Sequence, residues 1–256
     1  MAGWDSAQYL KFAAERTRPA RELLAGIPPV EVRRALDVGC GPGNSTAVLR
    51  ARYGEAQLTG VDSSEEMLRT ARAALPDCDF LRCDVGRELS ELPGEFDLVF
   101  SNACIQWVPD HRSLLPGLVG LLRTGGVLAV QVPVNWEEPV HRIIGEVAGS
   151  ARWREKFQNP RIFYTLTEGE YFDLLSDCAR EVDLWRTTYF HRLRSHGELL
   201  EWYRGTGLRP YLAALSPEEG AAFEREIYAE LVRAYPRQRN GEILFRFPRL
   251  FFTAVR

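Results

Sequence analysis

The chain has 256 residues, 45% of them hydrophobic and 26% charged, with a net charge of -3. These values suit one large domain, or one domain with a sizeable insertion, and exclude disorder, collagen-like repeats or coiled coil as the main architecture. The slightly acidic balance offers no basic field for nucleic acid, while Lys11 and Lys156 are the only lysines among 32 basic residues, which leaves a large supply of arginine, the bidentate carboxylate grip.

Short apolar runs alternate with helical patterns through the first half. Strands are predicted at 34–39, 57–62, 79–83, 96–101 and 127–134. Helices are predicted at 44–53, 64–75 and 112–122, with Ser63 or Ser64 as a cap, Pro76 as a stop and Gly125-Gly126 closing the last of them. Unbroken apolar strands alternating with helices point to a parallel sheet covered on both faces. The second half changes character. Residues 134–165 are rich in Trp, Arg and Pro; 168–178, 195–204 and 217–235 read as helices; 181–192 and 242–256 read as extended, with Pro248 expected to break the last ladder. The expectation is a single domain, 1–256, in which 134–165 and 193–241 form a helical lid over the carboxyl ends of the strands, where open α/β sheets bind ligands.

The five cysteines, Cys40, Cys78, Cys83, Cys104 and Cys178, are odd in number and form no CxxC pair, so neither a disulfide framework nor a zinc site is expected. His141 and His196 have no metal-ligand spacing, and His111 beside Asp110 reads as a cap or loop residue. The first 16 residues hold no basic region followed by an apolar run, and no apolar stretch reaches the roughly 20 residues needed to span a bilayer. A cytoplasmic location without a membrane or obligate protein partner is expected.

The strongest local signal follows the first strand: Asp37-Val38-Gly39-Cys40-Gly41-Pro42-Gly43-Asn44-Ser45-Thr46. Its glycines let backbone approach a ligand, and the next helix starts at once with its free N–H groups facing an anionic or polar group. A dinucleotide loop would place the third glycine three positions after the second; here it comes after two. The acidic residue two positions before the first glycine makes the string resemble motif I of the class I S-adenosylmethionine-dependent methyltransferases. Asp62 ends the second strand, where a carboxylate can accept both hydroxyls of a ribose.

That resemblance implies a Rossmann-like α/β fold with a seven-stranded, mostly parallel sheet. It implies S-adenosyl-L-methionine as methyl donor, S-adenosyl-L-homocysteine as product, and no metal. It assigns Asp37, Gly39, Gly41 and Asn44 to the cofactor loop, Asp62, Ser63 and Met67 to the ribose side, and Asp84 and Val85 to the adenine. Asn102, Gln106 and Trp107 fall beside the methionine sulfur, where an indole face would meet a sulfonium.

Further segments extend the likeness: DSAQYLKFAAERTRPA near the start, TGVDSSEEML, QWVPDH, GVLAVQVPVNWEEP, EVDLWRTTYFH, TGLRPYL and FPRLFFTAVR. Together they are similar to the trans-aconitate methyltransferase family over nearly the whole chain. The implied reaction esterifies one carboxylate of a small tricarboxylic acid. The nucleophile, with a pKa near ~4, is ionised at neutral pH, so the resemblance implies no catalytic base. Three buried negative charges need counter-charges, and the arginines in matching stretches are Arg16, Arg18, Arg209, Arg246 and Arg249. Trp136, Tyr164, His191 and Trp202 are candidates to shape the acid site. Two other readings stay open on the sequence: transfer to another small acid or hydroxyl, and binding of S-adenosylmethionine without turnover.

Overall fold

The computed structural model describes residues 13–157 and 163–256; for 13–16 it defines the backbone only. The chain opens with helix α1 (Ala13–Ala25), then alternates β1 (Arg34–Val38), α2 (Asn44–Arg52), β2 (Gln57–Asp62), α3 (Glu65–Ala74), β3 (Asp79–Arg82) and β4 (Phe96–Asn102). A short 3-10 turn (Ile105–Trp107) leads to α4 (His111–Gly120) and β5 (Leu122–Pro133). After α5 (Pro139–Ala148) and α6 (Glu168–Ser176) come β6 (Glu181–Leu193), α7 (His196–Arg204), α8 (Arg209–Leu212), α9 (Pro217–Ala234) and β7 (Ile243–Val255).

The seven strands form one sheet in the order β3-β2-β1-β4-β5-β7-β6. The first five are parallel, and β7 runs antiparallel to β5. The seven-stranded, mostly parallel sheet expected from the sequence is therefore present. Strands β1, β4 and β5 are almost wholly buried, with Leu36, Val38, Leu98, Val99, Phe100 and Leu128 at 0% exposure. Only strands covered on both faces can carry such continuous apolar runs.

Two local expectations need correction, and the choice between Ser63 and Ser64 as a cap is settled. Helix α4 stops at Gly120, and Gly125-Gly126 lie inside β5. They absorb a register shift between Phe96 and Leu98, and a Cβ at Gly126 would stand 2.9 Å from the Phe96 carbonyl. The cap of α3 is Ser64, whose hydroxyl accepts from Met67 N–H at 3.4 Å. Pro248 does not interrupt β7: it lacks a donor but keeps its carbonyl, which accepts from Val134 N–H at 3.1 Å.

The described residues divide into two compact units. One comprises 13–133, 164–187 and 249–256 and carries the sheet's parallel half; the other comprises 134–157, 163 and 188–248. The second is larger than the two insertions read from the sequence because the ends of β6 and β7 belong to it. Its core is aromatic: Trp202, Tyr203, Phe245, Phe247 and His191 meet at ring-centroid distances of 4.8 to 6.0 Å. In the same unit His141 Nε2 meets the Tyr203 hydroxyl at 3.1 Å.

Burial lowers the His141 imidazole from its ordinary 6.5 to about 4. The unfolded chain takes up this proton at a higher pH than the folded one. Stability is therefore full above pH 6.5 and falls as pH drops from 6.5 toward 4, by up to about 3 kcal/mol. Thermal melts at pH 7 and pH 4.5 check this: His141→Gln should lose less melting temperature between the two than the wild type, and equal losses would remove His141 as the cause.

Candidate active site

The site is built on the first unit, from the glycine loop upward. Gly39 and Gly41 both have positive φ, at 72° and 55°. They are glycines for different reasons. A Cβ on Gly39 would stand 2.1 Å from the sulfur of Cys104, so this residue is dictated by packing against the segment after β4. A Cβ on Gly41 would meet nothing within 4 Å, so this residue borders open space, a cradle in which backbone can approach a ligand. Gly43, also left-handed, caps α2, and the N–H groups of that helix begin at Asn44.

Two aspartates hold the cradle's shape. Asp37 is buried, and its Oδ2 accepts from the hydroxyls of Ser45 and Thr46, each at 2.7 Å. It thereby ties the end of β1 to the first turn of α2. Burial pushes its carboxyl up to about 6, against the two hydroxyl donors that pull it down. Asp62, at the end of β2, accepts from Gly41 N–H at 3.0 Å and from Ser64 N–H at 2.8 Å. Burial raises its pKa too, and these backbone donors offset part of the rise. One carboxylate thus spans the glycine loop and the start of α3. Ser63 is exposed beside it, whereas the Met67 side chain is buried in the fold. Asp84 is half-buried after β3, and its Oδ1 accepts from Gly86 N–H at 3.1 Å; the next residue, Val85, is buried.

The segment after β4 is strained. Ala103 holds φ at 56°, a region that side chains other than glycine rarely occupy. Its N–H donates to the Gln131 carbonyl and its own carbonyl accepts from Gln106 Nε2 at 2.7 Å. Trp107 is half-buried on the same turn, and the Tyr164 N–H donates to the Gln106 carbonyl at 3.1 Å. His111 pins this turn from below. Its Nε2 donates to the Ile105 carbonyl at 2.8 Å, so its Nδ1 accepts from the buried Tyr171 hydroxyl at 2.7 Å. With both nitrogens engaged and burial lowering its pKa, His111 is a neutral structural pin.

Sheet register gathers these groups on one face. Asp37 lies opposite Phe100, and Phe100 and Asn102 share a face with a period of two. Asn102 lies opposite Gln131, and Pro133 lies opposite Arg249. Asp37, Asn102, Gln131 and Arg249 therefore point to the same side of the sheet. Several polar atoms of the unit are buried without a partner among the described residues, and they include Asp37 Oδ1, Asn44 Nδ2, Asn102 Oδ1, Gln106 Oε1 and Gln131 Nε2. Buried polar groups are normally bonded, so this cluster, bordering the Gly41 cradle, fits a ligand rich in both donors and acceptors. A nucleoside bearing an amino-acid tail has that character.

Gln131 and Ala103 were not singled out from the sequence. Gln131 had a signal: it is the one polar residue in the buried run Val127-Leu128-Ala129-Val130-Gln131-Val132. Ala103 had none, because strain at an alanine is invisible until the backbone is placed.

The acid-binding candidates divide between the two units. Arg249 is buried in the first unit and donates to Gln131 Oε1 at 3.1 Å. Tyr164 is 40% exposed there, and Arg18 is exposed on α1. The Arg16 side chain lies outside the described residues. In the second unit, Arg209 is half-buried at the first position of α8, and Trp136 is 38% exposed. Three candidates there meet other groups of the same unit. Arg246 is ion-paired with Glu138, a carboxylate too buried to leave uncompensated. His191 and Trp202 are buried members of the aromatic core.

The strand order, the glycine loop after β1 and the acidic residue ending β2 define a class I methyltransferase. Residues 35–126 match the family described as a methyltransferase domain. Among solved structures, the chain resembles YcgJ protein from Bacillus subtilis, with a TM-score of 0.59 at 14% identity over 93% of this chain and 98% of that one. It also resembles phosphoethanolamine N-methyltransferase 2 of Haemonchus contortus, with a TM-score of 0.55 at 19% identity over 93% and 52%. Among curated proteins it is 48% identical to trans-aconitate 2-methyltransferase of Azoarcus sp. strain BH72, over 100% of both chains. It is 46% identical to that of Escherichia coli K12, over 100% of this chain and 99% of the other. The chain belongs to the trans-aconitate 2-methyltransferase family.

Proposed function

We propose that this protein transfers the methyl group of S-adenosylmethionine to a carboxylate oxygen of trans-aconitate, giving a monomethyl ester. The observation that carries the reading is identity of 46% to 48% across the full chain, including the second half, where substrate specificity resides. When bound, S-adenosylmethionine supplies a sulfonium-activated methyl group, so the O–CH3 bond forms as the S–CH3 bond breaks. The residues suited to hold it are Asp62 for the ribose, Asp84 with Val85 for the base, the Gly39–Gly41 backbone with Asn44, and Asn102, Gln106 and Trp107 near the sulfur.

The chain's task is then positioning. The carboxylate is already ionised, so no residue has to remove a proton. The strained Ala103 turn, pinned by His111, holds Gln106 and Trp107 in place, and holding reacting atoms about 3–3.5 Å apart accounts for several kcal/mol of barrier lowering. The reading carries a cytoplasmic location with it, in keeping with five free cysteines. Among the described residues no helix is long and apolar enough to cross a membrane, and no group of His, Cys, Asp and Glu could hold a metal ion.

The test is incubation with labelled S-adenosylmethionine and a panel of trans- and cis-aconitate, citrate, isocitrate and itaconate, with the ester located by NMR. Trans-aconitate should be the best acceptor and citrate a poor one; equal labelling of citrate would overturn the assignment.

The pH profile follows from the same groups. Turnover at saturation should be flat from about pH 6 to 8, since the nucleophile is charged throughout. Cofactor affinity should fall as pH drops through about 6, where Asp37 becomes protonated and a cationic ligand loses a nearby negative charge. Rate and binding measurements across pH 5–8 check both. A rise in turnover with a midpoint near 7 would require a base and a different acceptor.

A further inference from the structure

The 3-10 turn Ile105–Trp107, which carries Gln106 and Trp107, is bracketed by strain. Ala103 before it and Asp110 after it hold φ at 56° and 57°, two of the three non-glycine residues with positive φ among the described residues. Such conformations persist only where the surroundings over-determine them. Residues 164–171 supply part of that constraint. The Tyr164 N–H donates to the Gln106 carbonyl at 3.1 Å. Tyr171, at 0% exposure on α6, reaches the Ile105 carbonyl through His111. Two consecutive carbonyls of the turn are therefore held from one short stretch of chain.

The hydrogens of this relay have one arrangement. The Ile105 carbonyl can only accept, so His111 Nε2 carries the hydrogen, and the Val108 carbonyl favours it there too. Burial keeps the imidazole neutral, so Nδ1 is bare and the Tyr171 hydroxyl donates to it at 2.7 Å. A lone pair of the same hydroxyl is met by the Leu166 N–H. The Tyr171 ring packs against Phe252 with centroids 5.0 Å apart, which fixes where the hydroxyl sits. Phenylalanine would fill the same space. A buried hydroxyl costs desolvation unless it is bonded, so packing alone does not call for tyrosine here.

We propose that Tyr171 is a positioning residue for methyl transfer, setting the place of the Ile105–Trp107 turn through His111. It is not among the residues suited to hold the cofactor or the acid, and acts on Gln106 and Trp107 at one remove. The inference rests on the methyl-transferring reading above and deepens it.

The variants are Tyr171→Phe, His111→Gln and the two combined, with Val119→Ala, a buried α4 residue outside the relay, as the control for lost stability. The readouts are melting temperature, calorimetric affinity for S-adenosylhomocysteine, kcat and KM with trans-aconitate, the imidazole nitrogen NMR resonances of His111, and the Trp107 indole resonance in the S-adenosylhomocysteine complex. The two resonances do not depend on turnover. Wild-type His111 should show a hydrogen on Nε2 and a hydrogen-bonded, unprotonated Nδ1. Tyr171→Phe should shift Nδ1 toward an unbonded imine nitrogen and displace the Trp107 resonance. It is expected to lower kcat at least about tenfold, within what a displacement of about 1 Å can cost, with S-adenosylhomocysteine affinity and the KM for S-adenosylmethionine unchanged. His111→Gln keeps a donor for Ile105 and loses the acceptor for Tyr171. Adding Tyr171→Phe to it should cost nothing further, because both act through one connection. Val119→Ala should lose melting temperature and keep kcat.

A purely structural role would make kcat follow melting temperature across all four variants, and that would overturn the proposal. So would a hydrogen on Nδ1 in the wild type, or kcat losses that multiply in the double variant. Loss of S-adenosylhomocysteine affinity in step with kcat would overturn it too, by assigning the effect of Tyr171 to cofactor binding. If the wild type methylates none of the panel, the reading of function fails and the Trp107 resonance alone decides the placement of the turn: displaced in Tyr171→Phe, the role of Tyr171 stands; unmoved, it falls.

Discussion

Replacing Asp62 by alanine is expected to weaken S-adenosylmethionine binding about 100-fold, roughly 2.7 kcal/mol, with turnover at saturation largely kept. Hydrogen bonds to a charged group contribute about 1.5–3 kcal/mol each. Asp62 is the acceptor suited to a ribose diol, and burial already makes its charge unfavourable. Hydroxyl donors from a ligand would relieve that penalty, which makes binding sensitive to this carboxylate. It also holds Gly41 and Ser64 by their N–H groups at 3.0 and 2.8 Å, so the alanine loosens the cradle as well as removing the acceptor. Asp62→Asn separates the two effects. It keeps one oxygen for a backbone donor but cannot accept from two hydroxyls, and should fall between wild type and alanine. Calorimetry reads the result, and unchanged cofactor affinity in Asp62→Ala would remove the ribose assignment.

Replacing Gly39 by alanine should act on stability. The added Cβ meets Cys104 at 2.1 and 2.3 Å, and the backbone sits at φ 72°. Overpacking costs about 1–3 kcal/mol and left-handed strain a similar amount. The sum, about 3–4 kcal/mol, corresponds to a fall of roughly 10 °C in melting temperature for a chain of this size. Adding Cys104→Gly to Gly39→Ala removes the clash and leaves the strain, so about half the loss should return. Gly41→Ala gives the contrast. Its Cβ meets no protein atom, so the melting temperature should move by only about 1–2 kcal/mol equivalent while cofactor affinity drops, because the methyl group enters the cradle. If both glycine variants lost stability equally, Gly41 would be a packing residue and the cradle would have to lie elsewhere.

How far the site could be read from the sequence differs by residue. The glycine string and Asp62 were legible because loop chemistry is local: positive φ, a helix start and a strand-end carboxylate lie within a few residues of one another. The roles of Asp37 and His111 were not. Asp37 looks like a ligand residue in a string of letters, yet its carboxylate is half spent on Ser45 and Thr46. His111 looks like a capping residue, yet it reaches Ile105 and Tyr171, the latter 60 positions away.

The arginines divide most sharply. Five were candidates by the same argument, that a buried polyanion needs forks. Nothing local distinguishes Arg246 from Arg249, which lie on the same strand three residues apart. The structure gives them different partners: Arg246 pairs with the buried Glu138, and one of the groups Arg249 donates to is Gln131.

The sequence by itself determined the class of sheet, the cofactor loop and the family, because periodicity, glycine spacing and extended likeness are properties of the chain order. The tertiary structure alone decided which charges are already compensated and which polar atoms remain buried without one. That depends on partners brought together across more than a hundred residues by strand order and register, and no local pattern encodes it.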